Sequence, residues 1–140
     1  MPLRKSELEP GQTFSAVLVE DLKRTQLVQY AGASGDYNPL HTDEIFATQV
    51  AGYPSVFAHG MLTMGMTGRL VTDLVGVGRL RSFGGRFTSQ VFPGDDLTAT
   101  ASVDEIRDDN GVPIVALSLR TANQDGREVF TGYATARIDL

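Results

Sequence analysis

The chain has 140 residues, enough for one domain to bury roughly 68–70% of the surface of its unfolded form. With 12 Lys and Arg against 17 Asp and Glu it carries a net charge of −5, which argues against a general affinity for nucleic acid or an anionic membrane. Cysteine is absent, which excludes disulfides, thiolate metal sites and cysteine nucleophiles. No signal-like apolar start and no run of about 18 apolar residues is present either, so one cytoplasmic domain over residues 1–140 is expected.

Pro10-Gly11 precedes Thr13 to Val19, a β-prone run that reads as a first strand. From Asp21 the spacing changes to that of a helix, with Leu22, Leu27, Val28 and Ala31 mainly on one face, Asp21 as cap, and Gly32 and Gly35 available to end it. Thr42-Asp43-Glu44 reads as a second helix start with Ile45, Phe46 and Ala47 on the buried side, broken at Gly52-Tyr53-Pro54. Gly60 to Val75 is a longer helix whose only charges, Arg69 and Asp73, come late. Three turns without charge predict a helix enclosed by other structure, with Gly60, Gly65 and Gly68 letting neighbours approach.

The second half has strand composition over Leu80 to Phe92, Leu97 to Arg107, Val112 to Ala122 and Glu128 to Ile138, and Leu97, Ala99, Ala101 and Val103 form one alternating row. Pro93-Gly94-Asp95-Asp96, Asn110-Gly111 and Asp125-Gly126 separate these runs as turns. Four successive antiparallel strands that wrap the long helix, after one early strand, give an α+β architecture without βαβ alternation.

Chemistry concentrates between Tyr30 and His41. Pro39 fixes its own φ and biases Asn38 away from the α region, so the turn can return His41 towards Asp36. A carboxylate and an imidazole so placed suit the orientation and deprotonation of water for addition to an activated double bond. The same residues equally suit an Asx turn with a histidine flanking a helix. His59, the only other histidine, stands at the entry to the long helix, where a hydrogen-bonded structural role is the plainer reading. Gly60, at that helix start, offers an unpaired amide and a positive dipole end for a developing oxyanion, or simply permits close packing.

Arg69, Arg79, Arg81 and Arg86 face only Asp73 within their stretch, a local balance of +3 that suits phosphates or an acidic partner, or ordinary solvated charge. Gly76-Val77-Gly78 lacks the third glycine of a dinucleotide loop, and no phosphate loop is present. Asp36, His41, Asp43 and His59 lack metal-ligand spacing, so no metal is expected.

The run Tyr30-Ala31-Gly32-Ala33-Ser34-Gly35-Asp36-Tyr37-Asn38-Pro39-Leu40-His41, followed by Ala58-His59-Gly60-Met61-Leu62, resembles the MaoC-like dehydratases and (R)-specific enoyl-CoA hydratases of hot dog fold. Tyr30-Ala31-Gly32 with Met61-Leu62-Thr63-Met64-Gly65 is similar in particular to the catalytic subunit of actinobacterial (3R)-hydroxyacyl-ACP dehydratases. Ala33 and Gly68 depart from the family pattern, and neither touches the Asp/His pair.

The resemblance implies a long central helix wrapped by an antiparallel sheet of about five strands. It implies Asp36 and His41 as catalytic pair, the Gly60 amide as oxyanion donor, and Ser34, Asn38 and His59 in substrate binding or loop support. It also implies an enoyl substrate on CoA or ACP phosphopantetheine, no cofactor, and a homodimer or a heterodimer with a paralogous subunit. The rivals are a hot dog thioesterase, disfavoured because Asp73 is the only acid on the long helix, and a non-catalytic acyl-binding subunit, disfavoured because both Asp36 and His41 are present.

Overall fold

The computed structural model describes residues 2–140. Strand β1 (Thr13–Val19) and helix α1 (Arg24–Ser34) come first, then the central helix α2 (Gly60–Val75) and strands β2 (Leu80–Phe87), β3 (Leu97–Asp109), β4 (Val112–Ala122) and β5 (Glu128–Arg137). The five strands form one antiparallel sheet in the order β1-β3-β4-β5-β2. α2 packs on this sheet, and the topology is that of a hot dog fold.

The sheet differs from four strands in succession. Only β3, β4 and β5 form a meander, while β2 crosses to the far edge and pairs with β5. β2 also stops at Phe87 rather than Phe92, because the chain beyond it bonds elsewhere: Val91 accepts from the Ala58 amide at 2.7 Å, at the entry to α2.

Size alternation explains how α2 reaches the sheet. Ala99, Ala101, Ala134 and Ala136 are fully buried beneath it, and in the β4–β5 register Leu117 lies opposite Ala134 and Val115 opposite Ala136. Small residues set against large ones let the helix and sheet interdigitate. Leu70, Val71 and Val75 of α2 complete this core, and a second cluster around Leu22, Leu27, Ala47 and Leu62 lies under α1 and the loops after it.

α2 is not enclosed all round. Met61, Gly65, Arg69 and Asp73, four residues apart, form an exposed stripe along it, so its solvated face is simply poor in charge near the start. Gly68 and Gly60 do admit close neighbours: a Cβ at Gly68 would lie 2.7 Å from the Phe83 ring, and one at Gly60 2.9 Å from the Phe87 ring. Gly65 has open space instead.

α1 begins at Arg24, with Lys23 rather than Asp21 at its N-cap. Asp21 has φ +50°, and its amide donates to Asp96 Oδ1 at 2.7 Å, which ties this corner to the Pro93–Asp96 turn. Asp43 does open the next helical element, accepting from the Phe46 amide at 3.2 Å, but that element is a π-type turn (Phe46–Val50), and Ile45 points outward, 65% exposed.

Candidate active site

Helix α1 ends at Gly35, whose φ of +76° is the left-handed conformation that a glycine adopts without strain. Three side chains then carry the backbone forward in two-residue steps. Ser34 Oγ accepts from the Asp36 amide at 3.2 Å, Asp36 Oδ1 from Asn38 at 3.2 Å, and Asn38 Oδ1 from Leu40 at 3.0 Å. Pro39–His41 closes as a single 3-10 turn, with the His41 amide 3.1 Å from the Asn38 carbonyl. The Asx turns are therefore present, and they are what brings the Asp36 carboxylate and the His41 imidazole close together.

That turn brings His41 Nε2 to 3.9 Å from Asp36 Oδ2. His41 Nδ1 is 2.6 Å from the Phe57 carbonyl. A carbonyl only accepts, so Nδ1 carries the proton and Nε2 turns its lone pair towards Asp36. At 3.9 Å the two groups are too far apart for a direct hydrogen bond and close enough to share one water. Burial pushes the His41 pKa down, opposed by the Phe57 hydrogen bond; the His59 charge lowers it further and Asp36 raises it, with the lowering effects prevailing. The neutral, proton-accepting form is thereby favoured.

His59 is 2% exposed and stacks on His41 with ring centroids 3.8 Å apart and planes 25° from parallel. Its Nε2 lies 3.0 Å from the Asp36 carbonyl, and Tyr30 of α1 meets the ring edge-on at 4.9 Å. Gly60 follows as the first residue of α2, where an amide has no acceptor within its own helix. The space that a Cβ would need at Gly60 is filled by Phe87, so close packing alone accounts for the absent side chain, while the amide remains a donor at the positive end of the helix.

A cavity of about 220 Å³ adjoins this point. Its walls include Phe57, whose carbonyl holds His41, together with Gly60, Thr63, Phe87 and the irregular segment Thr88–Val91. Phe57, Thr63 and Phe87 were not singled out from sequence. The signals for them were weak: an aromatic two residues before His59, and a hydroxyl one turn after Gly60. Thr63 is 2% exposed, and its Oγ1 has no hydrogen-bond partner among the described residues.

Asp36, His41 and His59 each offer a ligand atom within 4.8 Å of the others. They make a poor metal cage, because near-parallel stacked imidazoles hold their in-plane lone pairs side by side instead of converging on one point. Asp43 is occupied in capping Phe46. Of the four arginines, Arg69 faces Asp73 at 3.8 Å, Arg79 Asp139 at 2.7 Å and Arg81 Asp109 at 3.1 Å, which neutralises most of the expected cluster. Arg86 forms no ion pair among the described residues.

Together these features define a hot dog domain with an Asp/His pair hung beside the N-terminus of its central helix. A family model described as MaoC like domain matches residues 5–123, and the chain belongs to that family. It is 34% identical over 135 residues to the (R)-specific enoyl-CoA hydratase of Aeromonas caviae, covering 94% of this chain and 96% of that one. With the 3-hydroxyacyl-thioester dehydratase Y of Mycobacterium tuberculosis it shares 50% identity over 68 residues, 46% of this chain and 23% of the relative, so it spans about a quarter of that protein's length. Among solved structures, R-hydratase PhaJ1 of Pseudomonas aeruginosa superposes with a TM-score of 0.84 at 30% identity, covering 96% of this chain and 85% of the other.

Proposed function

We propose that this chain is an (R)-specific hydratase/dehydratase that reversibly adds water across a trans-2-enoyl thioester to give the (3R)-hydroxyacyl thioester. The observation that carries this reading is the 3.9 Å gap between Asp36 Oδ2 and a His41 Nε2 whose other nitrogen is committed to Phe57. A water held in that gap gives its proton to His41 as its oxygen bonds to C3. The electron pair of the double bond moves towards the thioester oxygen, where the Gly60 amide and the helix dipole favour negative charge. Return of the proton to C2 completes the addition, so one O–H bond breaks while C3–O and C2–H bonds form. The A. caviae relative, matched over nearly its whole length, supports the reaction class.

The acyl group rides on CoA or ACP phosphopantetheine, and no metal or redox cofactor takes part; the side-by-side imidazoles support the second point. Arg86, which forms no ion pair among the described residues, is available to a phosphate of the carrier. The protein acts in the cytoplasm; no helix among the described residues is long and apolar enough to cross a membrane. The thioesterase reading is weakened because Asp73, the only acid on α2, sits in the exposed stripe beside Arg69.

Replacement of Asp36 by Asn or His41 by Gln is expected to reduce crotonyl-CoA hydration by about 10²–10⁴-fold, the usual contribution of a positioned acid or base, in a protein that keeps its fold by circular dichroism. Near-normal turnover by either variant rejects the pair. Release of free thiol by the parent protein would favour thioester hydrolysis instead.

A further inference from the structure

We infer that His59 is a positioning residue that suspends the Asp36–His41 pair from the start of α2, and that the two stacked imidazoles donate from opposite ring nitrogens, Nδ1 in His41 and Nε2 in His59. The inference rests on the hydratase reading for its kinetic consequence, but its structural half stands without it.

The argument begins with acceptors. Phe57 offers a carbonyl to His41 Nδ1 at 2.6 Å, and Asp36 offers its backbone carbonyl to His59 Nε2 at 3.0 Å. Both acceptors are donor-free oxygens, so each nitrogen facing one must carry hydrogen. His41 then carries its proton on Nδ1, and His59 carries one on Nε2. Two rings 3.8 Å apart present different edges, and only His41 directs a lone pair at the Asp36 carboxylate.

The second step concerns what His59 touches. Its Nε2–H holds the backbone of Asp36, its face holds the ring of His41, and its own backbone is the N-cap of α2, directly before Gly60. One residue thus sets three relations at once: Asp36 to the helix, His41 to the helix, and both to the Gly60 amide. Tyr30 fixes the ring from the α1 side. Asp36 needs such a hold, since its side chain is 53% exposed and its remaining restraints are hydrogen bonds within the same loop.

The third observation is His59 Nδ1, which is buried and has no hydrogen-bond partner among the described residues. An orphaned polar atom in the interior is destabilising. A residue retained only for packing would be better replaced by an apolar ring, which would stack equally well. The polar edge at Nε2 is what an apolar ring cannot supply.

Two measurements test this. With only two histidines in the chain, long-range ¹H–¹⁵N NMR of the imidazoles assigns both tautomers directly in the parent protein. The expected result is a proton on Nδ1 of His41 and on Nε2 of His59; a His59 ring protonated on Nδ1 alone overturns the clamp, whether or not the protein hydrates any thioester.

In kinetics, H59F keeps a stacked ring and loses the donor, while H59Q keeps an N–H at similar reach and loses the ring. H59F should lower kcat about 100-fold, the scale of an ångström's misplacement, with KM within a few-fold, and H59Q should recover a large part of that loss. H59F with the parent's kcat, or H59Q falling as far as H59F, overturns the positioning role. A parent protein inactive on every enoyl thioester would reject the hydratase reading while the NMR result still decides the clamp.

Discussion

His41 meets three environments at once: the Phe57 carbonyl at one nitrogen, Asp36 at the other and the His59 ring across its face. Burial dominates among the influences on its charge and pushes its pKa below the ordinary value of about 6.5. A histidine with a depressed folded pKa stays neutral where the unfolded chain already binds a proton. The fold therefore loses stability as pH falls below about 6.5, down to the folded pKa, where the loss levels off. The proposed mechanism requires the same neutral form, so the acid limb of the kcat/KM profile should lie below about 6.5, and H41Q should remove that limb along with activity. An acid limb above about 7 would contradict the assigned base. At this scale much was legible: Asn38-Pro39 and the Asx side chains dictate a turn, and the turn brings Asp36 and His41 together. The His59 stack was not legible, because nothing in local spacing tells a histidine 18 residues later which ring it will cover.

Helix α2 has the bounds that its sequence predicts, Gly60 to Val75, because its apolar periodicity and terminal glycines are local signals. Which of its glycines matter is a question of neighbours. At Gly65 a Cβ meets nothing within 4 Å, so G65A should stabilise the protein by up to about 1 kcal/mol through helix propensity. At Gly68 the same methyl lies 2.7 Å from the partly buried Phe83 ring, and overpacking of about 1–3 kcal/mol should outweigh that gain. Thermal unfolding of the two variants should move in opposite directions; shifts of the same sign would show that Phe83 repacks freely. The loop elements also answer to neighbours. Glu44 links the start of α1 to the segment leading into α2, accepting from Arg24 and from the Val56 amide at 3.3 Å. The Arg24 hydrogen bond holds the Glu44 pKa below its usual range. The departure of β2 from pairing after Phe87 has the same origin, since Val91 bonds across to Ala58 and thereby builds a wall of the cavity.

For the whole molecule, the sheet ends in two unpaired edges, β1 and β2. Free edges invite a partner strand. β2 is the edge beside the site: Phe87 packs on Gly60 and is 51% exposed, and Tyr133 of the adjoining strand is 55% exposed. A second hot dog subunit laid along β2 would extend the sheet and cover the cavity mouth. Light scattering on the purified chain should therefore give twice the monomer mass, and if it gives a monomer, activity should appear only when a paralogous subunit is added. A monomer with full hydratase activity would show that the site needs no partner.

The sequence by itself determined what depends on neighbours along the chain: the Asp36–His41 turn, the limits of α2, the hairpins at Asn110-Gly111 and Asp125-Gly126, and the alternating row from Leu97 to Val103. Dihedral preferences, Asx hydrogen bonds and periodicity act over a few residues and are written in those residues. Tertiary structure decided the rest: β2 at the far edge beside β5, the stripe of α2 left open, Arg79 and Arg81 neutralised by distant aspartates, and His59 laid over His41 with its Nε2 on the Asp36 backbone. Those outcomes depend on which surfaces meet when the sheet closes on the helix, and packing between segments remote in sequence leaves no local mark.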